Sequence, residues 1–168
     1  MLIYFATDHA GFELKGKLIP FVKELGFEVE DCGAYELNEN DDYPEFVKKA
    51  AQKVSEDPEN SKAIILGGSG QGEAIVANRF RNIRAAVYYG SNSATSFAQG
   101  YGGSKKATLD KGNLEIIKLS REHNDANVLS LGARFLSEEE AKEAVKLWLE
   151  TSFSGEERHK RRINNIDL

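Results

Sequence analysis

The chain reads as a three-layer α/β/α protein built on a parallel, Rossmann-like sheet of about five strands. Three observations predict this. Short apolar runs, of the kind that make strands buried on both faces, recur along the 168 residues. Stretches with apolar residues at helical spacing alternate with them, and that alternation implies βαβ crossovers with helices on both faces of the sheet. Polar and glycine-rich tips follow three of the runs, where a parallel sheet binds its ligands, beyond the carboxyl ends of its strands.

Residues 2–7, LIYFAT, form the first run. In GFELKGKLIPFVKELG, Leu14, Leu18, Phe21, Val22 and Leu25 make a helical stripe and Gly26 supplies a stop. Pro20 inside that segment predicts a kink or a local irregularity. FEVEDCG predicts the second strand. DDYPEFVKKAAQKVSED predicts the second helix, with Phe46, Val47, Ala50, Ala51 and Val54 as its stripe and Pro58 just beyond. KAIIL predicts the third strand and runs straight into a glycine loop. GEAIVANRFRN then predicts a helix, and IRAAVYYG and NVLSLG predict strands. SEEEAKEAVKLWLETSF predicts a long helix opened by a capping box from Ser137 and Glu140. The segment SNSATSFAQGYGGSKKATLDKGN, residues 91–113, is rich in Gly, Ser, Lys and Ala and reads as a mobile surface excursion with room for a short helix at its start. There is no internal repeat.

The expectation is one domain over residues 1–168, large enough to bury a core unaided. A formal net charge of −5 gives no global pull toward nucleic acid or anionic membrane, so any anion site is local. No apolar run approaches the roughly 18 residues that span a bilayer. MLIYFATDHAG lacks a basic leader, so no signal peptide is expected. The single cysteine, Cys32, rules out an internal disulfide and offers no metal spacing. A cytoplasmic enzyme or binding protein is the default expectation.

AIILGGSGQGEAIVANR, residues 63–79, holds four glycines between 67 and 72. The frame G-x-x-x-x-G is present, but a P-loop continues with Lys and then Ser or Thr, where this chain has Glu73 and Ala74. The phosphate-gripping cation and the magnesium ligand are missing together. The dinucleotide frame G-x-G-x-x-G fails as well, because positions 73 and 75 are not glycine. What remains is a run of backbone N–H groups that favours negative charge on a ligand and that glycines allow to come close. Glu73 then has two readings. One is a first-turn acid that complements the helix dipole. The other is a general base beside an oxyanion hole, which removes a proton next to a carbonyl while the backbone holds the enolate.

TDHAGFELK at 7–15, DYP at 42–44, GGSGQGEAIVANR at 67–79, REHNDANVLSLGAR at 121–134 and GEERHKRRI at 155–163 resemble the ribose-5-phosphate isomerase B family, which includes galactose-6-phosphate isomerase subunits. The five motifs stand in the family's order across nearly the whole chain. The resemblance implies an isomerase that interconverts an aldose phosphate and a ketose phosphate through an enediolate, without metal or cofactor. It also implies homodimers, or dimers of such dimers, with active sites at the subunit interface. Many members carry a cysteine base where this chain has Gly67. A second branch uses a glutamate at the position of Glu73, with a serine in the loop, and this chain is similar to that branch.

The resemblance assigns Glu73 as base, His123 as ring-opening acid and Ser69 as a holder of the enediolate oxygen. Asp8, His9, Gly68, Gly70, Gln71, Gly72, Asn124, Arg134, Arg158 and Arg162 are its sugar- and phosphate-binding positions. Read without it, Asp8, His9 and Asn124 are also ordinary helix caps, Ser69 a turn residue, and ERHKRR a solvated basic tail within a C-terminal helix or tail over 155–168. Arg158 and Arg162 are four apart, so on a helix they share a face and can pinch one anion. The lack of aromatic interleaving and the acidic balance set nucleic acid aside. The excursion at 91–113 adds about 20 residues to a connection where short ones are usual; it reads equally as a lid over the sugar or a decoration of the dimer edge. Ribose 5-phosphate and ribulose 5-phosphate are the expected substrates. The alternatives are a hexose 6-phosphate of allose or galactose type, or a non-catalytic sugar-phosphate-binding regulator.

Overall fold

The structure is a computed structural model that describes residues 1–90 and 112–166. Five strands form one sheet: β1 (Leu2–Thr7), β2 (Glu28–Asp31), β3 (Ser61–Gly67), β4 (Ala85–Tyr88) and β5 (Val128–Gly132). All pairings are parallel and the order is β2-β1-β3-β5-β4. The described helices are α1 (Phe12–Glu24), α2 (Tyr43–Glu56), α3 (Gln71–Ala77), α4 (Gly112–Glu122), α5 (Glu138–Glu150) and α6 (Glu157–Ile163). The three-layer class read from the sequence is the class observed.

Side chains alternate between two cores. Ile3, Phe5, Ile64, Leu66, Leu129 and Leu131 pack with Leu18 and Val22 of α1, Ile117 of α4, and Val145 and Trp148 of α5. Tyr4, Ala6, Ala63, Ile65 and Val128 meet Val47, Ala50, Ala51 and Val54 of α2, with Ala77 of α3. LIYFAT and KAIIL are apolar throughout because both faces of their strands are covered. Each large side chain so buried contributes about 2 kcal/mol. Trp148 is fully buried, with the Lys62 ammonium and the Arg121 guanidinium over its ring.

α1 is continuous through Pro20. The missing N–H would have bonded Gly16, and both residues lie on the exposed side, so the freed carbonyl need not be buried unpaired. The capping box is present as expected, with Ser137 Oγ accepting from Glu140 N and the Glu140 carboxylate accepting from Ser137 N. α3 is shorter than the sequence suggests. It stops at Asn78, whose side chain pairs with both main-chain groups of Ala85 and so sets the entry to β4. The turn that follows has Asn82 at φ 64°. α4 precedes the REHND motif and was missing from the sequence reading of the elements. Most of the 91–113 excursion lies outside the described residues.

Strand order positions the site. From β1 the chain crosses to β2 on one side, and β3 then lies on the other side of β1. α1 and α2 leave toward opposite faces, which opens a crevice beyond the carboxyl ends of β1 and β3.

Candidate active site

Loops from β1, β3 and β5 converge on that crevice. After β1, Asp8 is buried and its Oδ1 accepts from Ala10 N at 3.0 Å, which caps a short 3-10 turn over His9–Gly11. Asp41, in the loop before α2, reaches the next residue twice. Its Oδ1 accepts from His9 N at 3.0 Å and lies 2.7 Å from His9 Nδ1. After β5, Ala133 N and Arg134 N donate to the carbonyls of Gly67 and Gly68 at 2.8 and 3.2 Å. The Arg134 guanidinium lies over Gly68, so a side chain at 68 would press on it.

The glycine loop enters α3 through Gly70 at φ 75°, a left-handed position that suits glycine. Ser130 Oγ donates to the Gly70 carbonyl at 2.6 Å and anchors the loop to the sheet. Ser69 and Gln71 are exposed, and Ser69 Oγ accepts from Gln71 N at 3.3 Å. The Tyr43 hydroxyl faces Gly72, where only a glycine leaves it room. Glu73 sits in the first turn of α3 and is only 4% exposed. Its carboxylate occupies the space beside Gly67 that a Cβ there would need. Burial pushes its pKa above the usual glutamate value; its own backbone N–H opposes the shift and the nearby Asp8 charge adds to it.

The remaining sequence-predicted residues lie at the other end of the sheet. His123 and Asn124 follow α4 and precede β5, at the amino edge. β5 pairs with β3 from Ala63↔Val128 to Gly67↔Gly132, so the two edges are separated by roughly 15 Å of strand. Asp125 pins the turn, taking Arg121 on one carboxylate oxygen at 2.8 Å and Arg84 on the other at 3.0 Å. The rings of His123 and His159 are 4.3 Å apart, and His159 Nδ1 pairs with Ser154 Oγ at 3.0 Å. This ties α6 to the end of α4. Asn124 lines a pocket of about 300 Å³ with Ile83, Arg84, Ser120 and Ile166. Arg158 and Arg162 are exposed on α6, and Arg158 Nε lies 2.7 Å from the Glu156 carboxylate.

One chain therefore brings together Asp8, His9, the loop from Gly68 to Glu73, and Arg134. His123 and Asn124 lie at the other edge, where the contact between His123 and His159 brings the helix that carries Arg158 and Arg162 to the end of α4. The sequence reading assigned nothing to Asp41, Tyr43 or His159. Tyr43 lies in the DYP motif; Asp41 carries no comparable signal among its acidic neighbours. Among the described residues, Asp8, His9 and Asp41 are the one group whose donor atoms, within 4.8 Å of one another, could hold a metal ion. Hydrogen bonds within the group already engage Asp41 Oδ1 and His9 Nδ1, and Ala10 N engages Asp8 Oδ1.

Fold and edge together define a Rossmann-like α/β protein with a buried carboxylate and a glycine loop at the switch in strand order, where such sheets bind their ligands. The chain belongs to the Ribose/Galactose Isomerase family, whose model matches residues 3–101 and 112–166. It is 36% identical over 164 residues to ribose-5-phosphate isomerase B of Mycobacterium tuberculosis, covering 98% of this chain and 86% of that one. It is 35% identical to the enzyme of the same name from Escherichia coli, covering 98% and 93%. A crystal structure of ribose-5-phosphate isomerase B from Mycoplasma genitalium with bound ribulose-5-phosphate superposes with a TM-score of 0.82 at 30% identity, covering 98% and 93%. The Thermotoga maritima ribose 5-phosphate isomerase structure gives 0.79 at 37% identity, covering 99% and 97%. No helix among the described residues is long and apolar enough to cross a membrane.

Proposed function

We propose that this protein is a cytoplasmic aldose–ketose isomerase that interconverts ribose 5-phosphate and ribulose 5-phosphate. Family membership supports the reaction class, and the ribulose-5-phosphate bound to the Mycoplasma genitalium relative supports the pentose. The observation that carries the chemistry is Glu73, a buried carboxylate lodged beside a glycine. Glu73 takes the proton from C2 of the open-chain aldose and returns it to C1, through an enediolate. Ser69 and the main-chain N–H groups of Gly68, Gly70, Gln71 and Gly72 hold the developing oxyanion. Burial raises the Glu73 pKa from the ordinary glutamate value, a shift in the direction that suits a group that must both accept and return that proton.

The opposite-edge placement of His123 supports a shared site. A second copy supplies His123 to open the furanose ring and Asn124 to bind its hydroxyls, and its Arg158 and Arg162 join Asp8, His9 and Arg134 on the sugar phosphate. The working unit is then a homodimer with two such sites.

The test is a coupled assay with ribose 5-phosphate, run beside allose and galactose 6-phosphates, with EDTA present throughout. The expected result is EDTA-insensitive turnover of the pentose. Turnover of a hexose alone reassigns the substrate, and sugar-phosphate binding without any turnover makes the protein a regulator.

A further inference from the structure

Asp41 is the least exposed member of its cluster after Asp8, with a side chain only 7% exposed. Its Oδ1 holds His9 by both the main-chain N–H and the ring Nδ1. Its Oδ2 is buried without a hydrogen-bond partner. A buried carboxylate with one unpaired oxygen is costly unless a cation neutralises it. The cation within reach is the imidazolium of His9.

We propose that Asp41 is a positioning residue for His9: it clamps the ring by Nδ1 and leaves Nε2–H to meet the substrate's phosphate beside Arg134. For its ligand, this inference rests on the isomerase reading above. The double contact fixes both the ring's direction and the main chain that carries it. It also settles the charge. The groups facing His9 are Asp41 from the loop before α2, Asp8 from the end of β1 and Arg134 from the loop after β5. Arg134 alone would favour a neutral imidazole, which offers a phosphate dianion much less. The hydrogen bond to Asp41 is the largest influence and raises the His9 pKa; partial burial and Arg134 oppose it, and Asp8 assists. With Asp41 in place, two cationic donors stand together where one would tend to discharge the other.

The test uses the full-length protein, Asp41→Asn and the conservative Asp41→Glu. His9 is titrated by imidazole NMR, which is practicable in a chain with three histidines. Binding of inorganic phosphate is measured by calorimetry, and KM and kcat for ribose 5-phosphate between pH 5.5 and 8.5. In Asp41→Asn the His9 midpoint falls, phosphate binding at pH 7.5 weakens about 10-fold, and KM rises more than kcat drops. The difference narrows as pH falls and His9 takes up its proton in both proteins, and Asp41→Glu recovers part of it. An unchanged His9 midpoint, or a phosphate deficit equal at every pH, overturns the proposal.

Should Asp41→Asn fail to fold, the wild type still decides. Its His9 midpoint must lie above the ordinary imidazole value, and its phosphate affinity, corrected for the ligand's own ionisation, must fall as pH rises through that midpoint. A midpoint that is not raised, or a flat corrected profile, overturns the inference. A wild type that binds phosphate with that profile but isomerises no sugar removes the enzyme reading and leaves the role of Asp41 standing.

Discussion

The carboxylate of Glu73 fills the space that a side chain on Gly67 would occupy. These residues are six apart in sequence, yet the turn from β3 into α3 folds one over the other. In this conformation the Glu73 carboxylate and a side chain at 67 cannot both occupy that space. The glycine at the end of β3 is thus what makes room for the Glu73 carboxylate, the base of the proposed mechanism.

Gly67→Ala is expected to fold and to turn over slowly. The backbone at Gly67 lies outside the positive-φ positions, and what the new methyl meets is the far end of a flexible side chain. Glu73 can swing away at small cost in stability but not without leaving its working position. A displacement of about 1 Å can cost on the order of 100-fold in rate. Steady-state kinetics beside a thermal melt checks this; wild-type turnover would show that the contact is irrelevant.

Glu73→Gln is expected to lose turnover by about 10²–10⁴-fold while still binding sugar phosphate. Because burial raises the Glu73 pKa, the acid limb of kcat/KM lies above the ordinary glutamate range. The same shift has a stability sign. The folded state binds the Glu73 proton more tightly than the unfolded chain, so that part of the stability is fully present at low pH and is lost as pH rises through the folded pKa. The Gln variant therefore gains on the wild type as pH climbs toward 7, which denaturant melts at pH 4 and pH 7 compare directly.

Glu73→Gln and His123→Gln, each nearly inactive alone, are expected to complement when co-expressed. A mixed dimer has one site with both residues intact and one with neither, and random pairing restores about a quarter of wild-type activity. Sites built within single chains would give no recovery at all.

Lys62→Met is expected to stabilise the fold by about 1 kcal/mol near pH 7. Burial pushes the Lys62 pKa down to about 8, and the nearby Arg121 adds to the shift. Below pH 8 the folded protein carries that ammonium at a cost. As pH rises from 8 toward the unfolded lysine value, the wild type recovers and the advantage of the Met variant fades. A constant gap across pH 7 to 10 would mean that the charge of Lys62 is not what costs.

The sheet and its layers were legible because both periodicities are strong: LIYFAT and KAIIL cannot be half-exposed strands, and Val47, Ala50, Ala51 and Val54 cannot face water. α3 ran too long in the reading because nothing in VANRFRN announces that Asn78 turns its side chain to Ala85. The glycine loop was legible through its failed resemblance to nucleotide-binding loops. The split between Glu73 and His123 was readable from chain direction, since residues after a parallel strand sit at its carboxyl edge and residues before it at its amino edge. Motif order obscured that, because it lists residues without saying which end of a strand they occupy. Asp41 was out of reach: its value comes from a loop closing over His9, and Glu39, Asp41 and Asp42 look alike in sequence.

The opposite placement of the two clusters on one sheet also ties the proposed enzyme's output to its abundance. Both cores lie within one chain, so a lone subunit is expected to stay folded; in the proposed mechanism it would present the base at one end and the ring-opening acid at the other, with no sugar able to touch both. Specific activity should then fall on dilution while the folded signal holds steady, so the catalytic rate becomes a direct gauge of self-association.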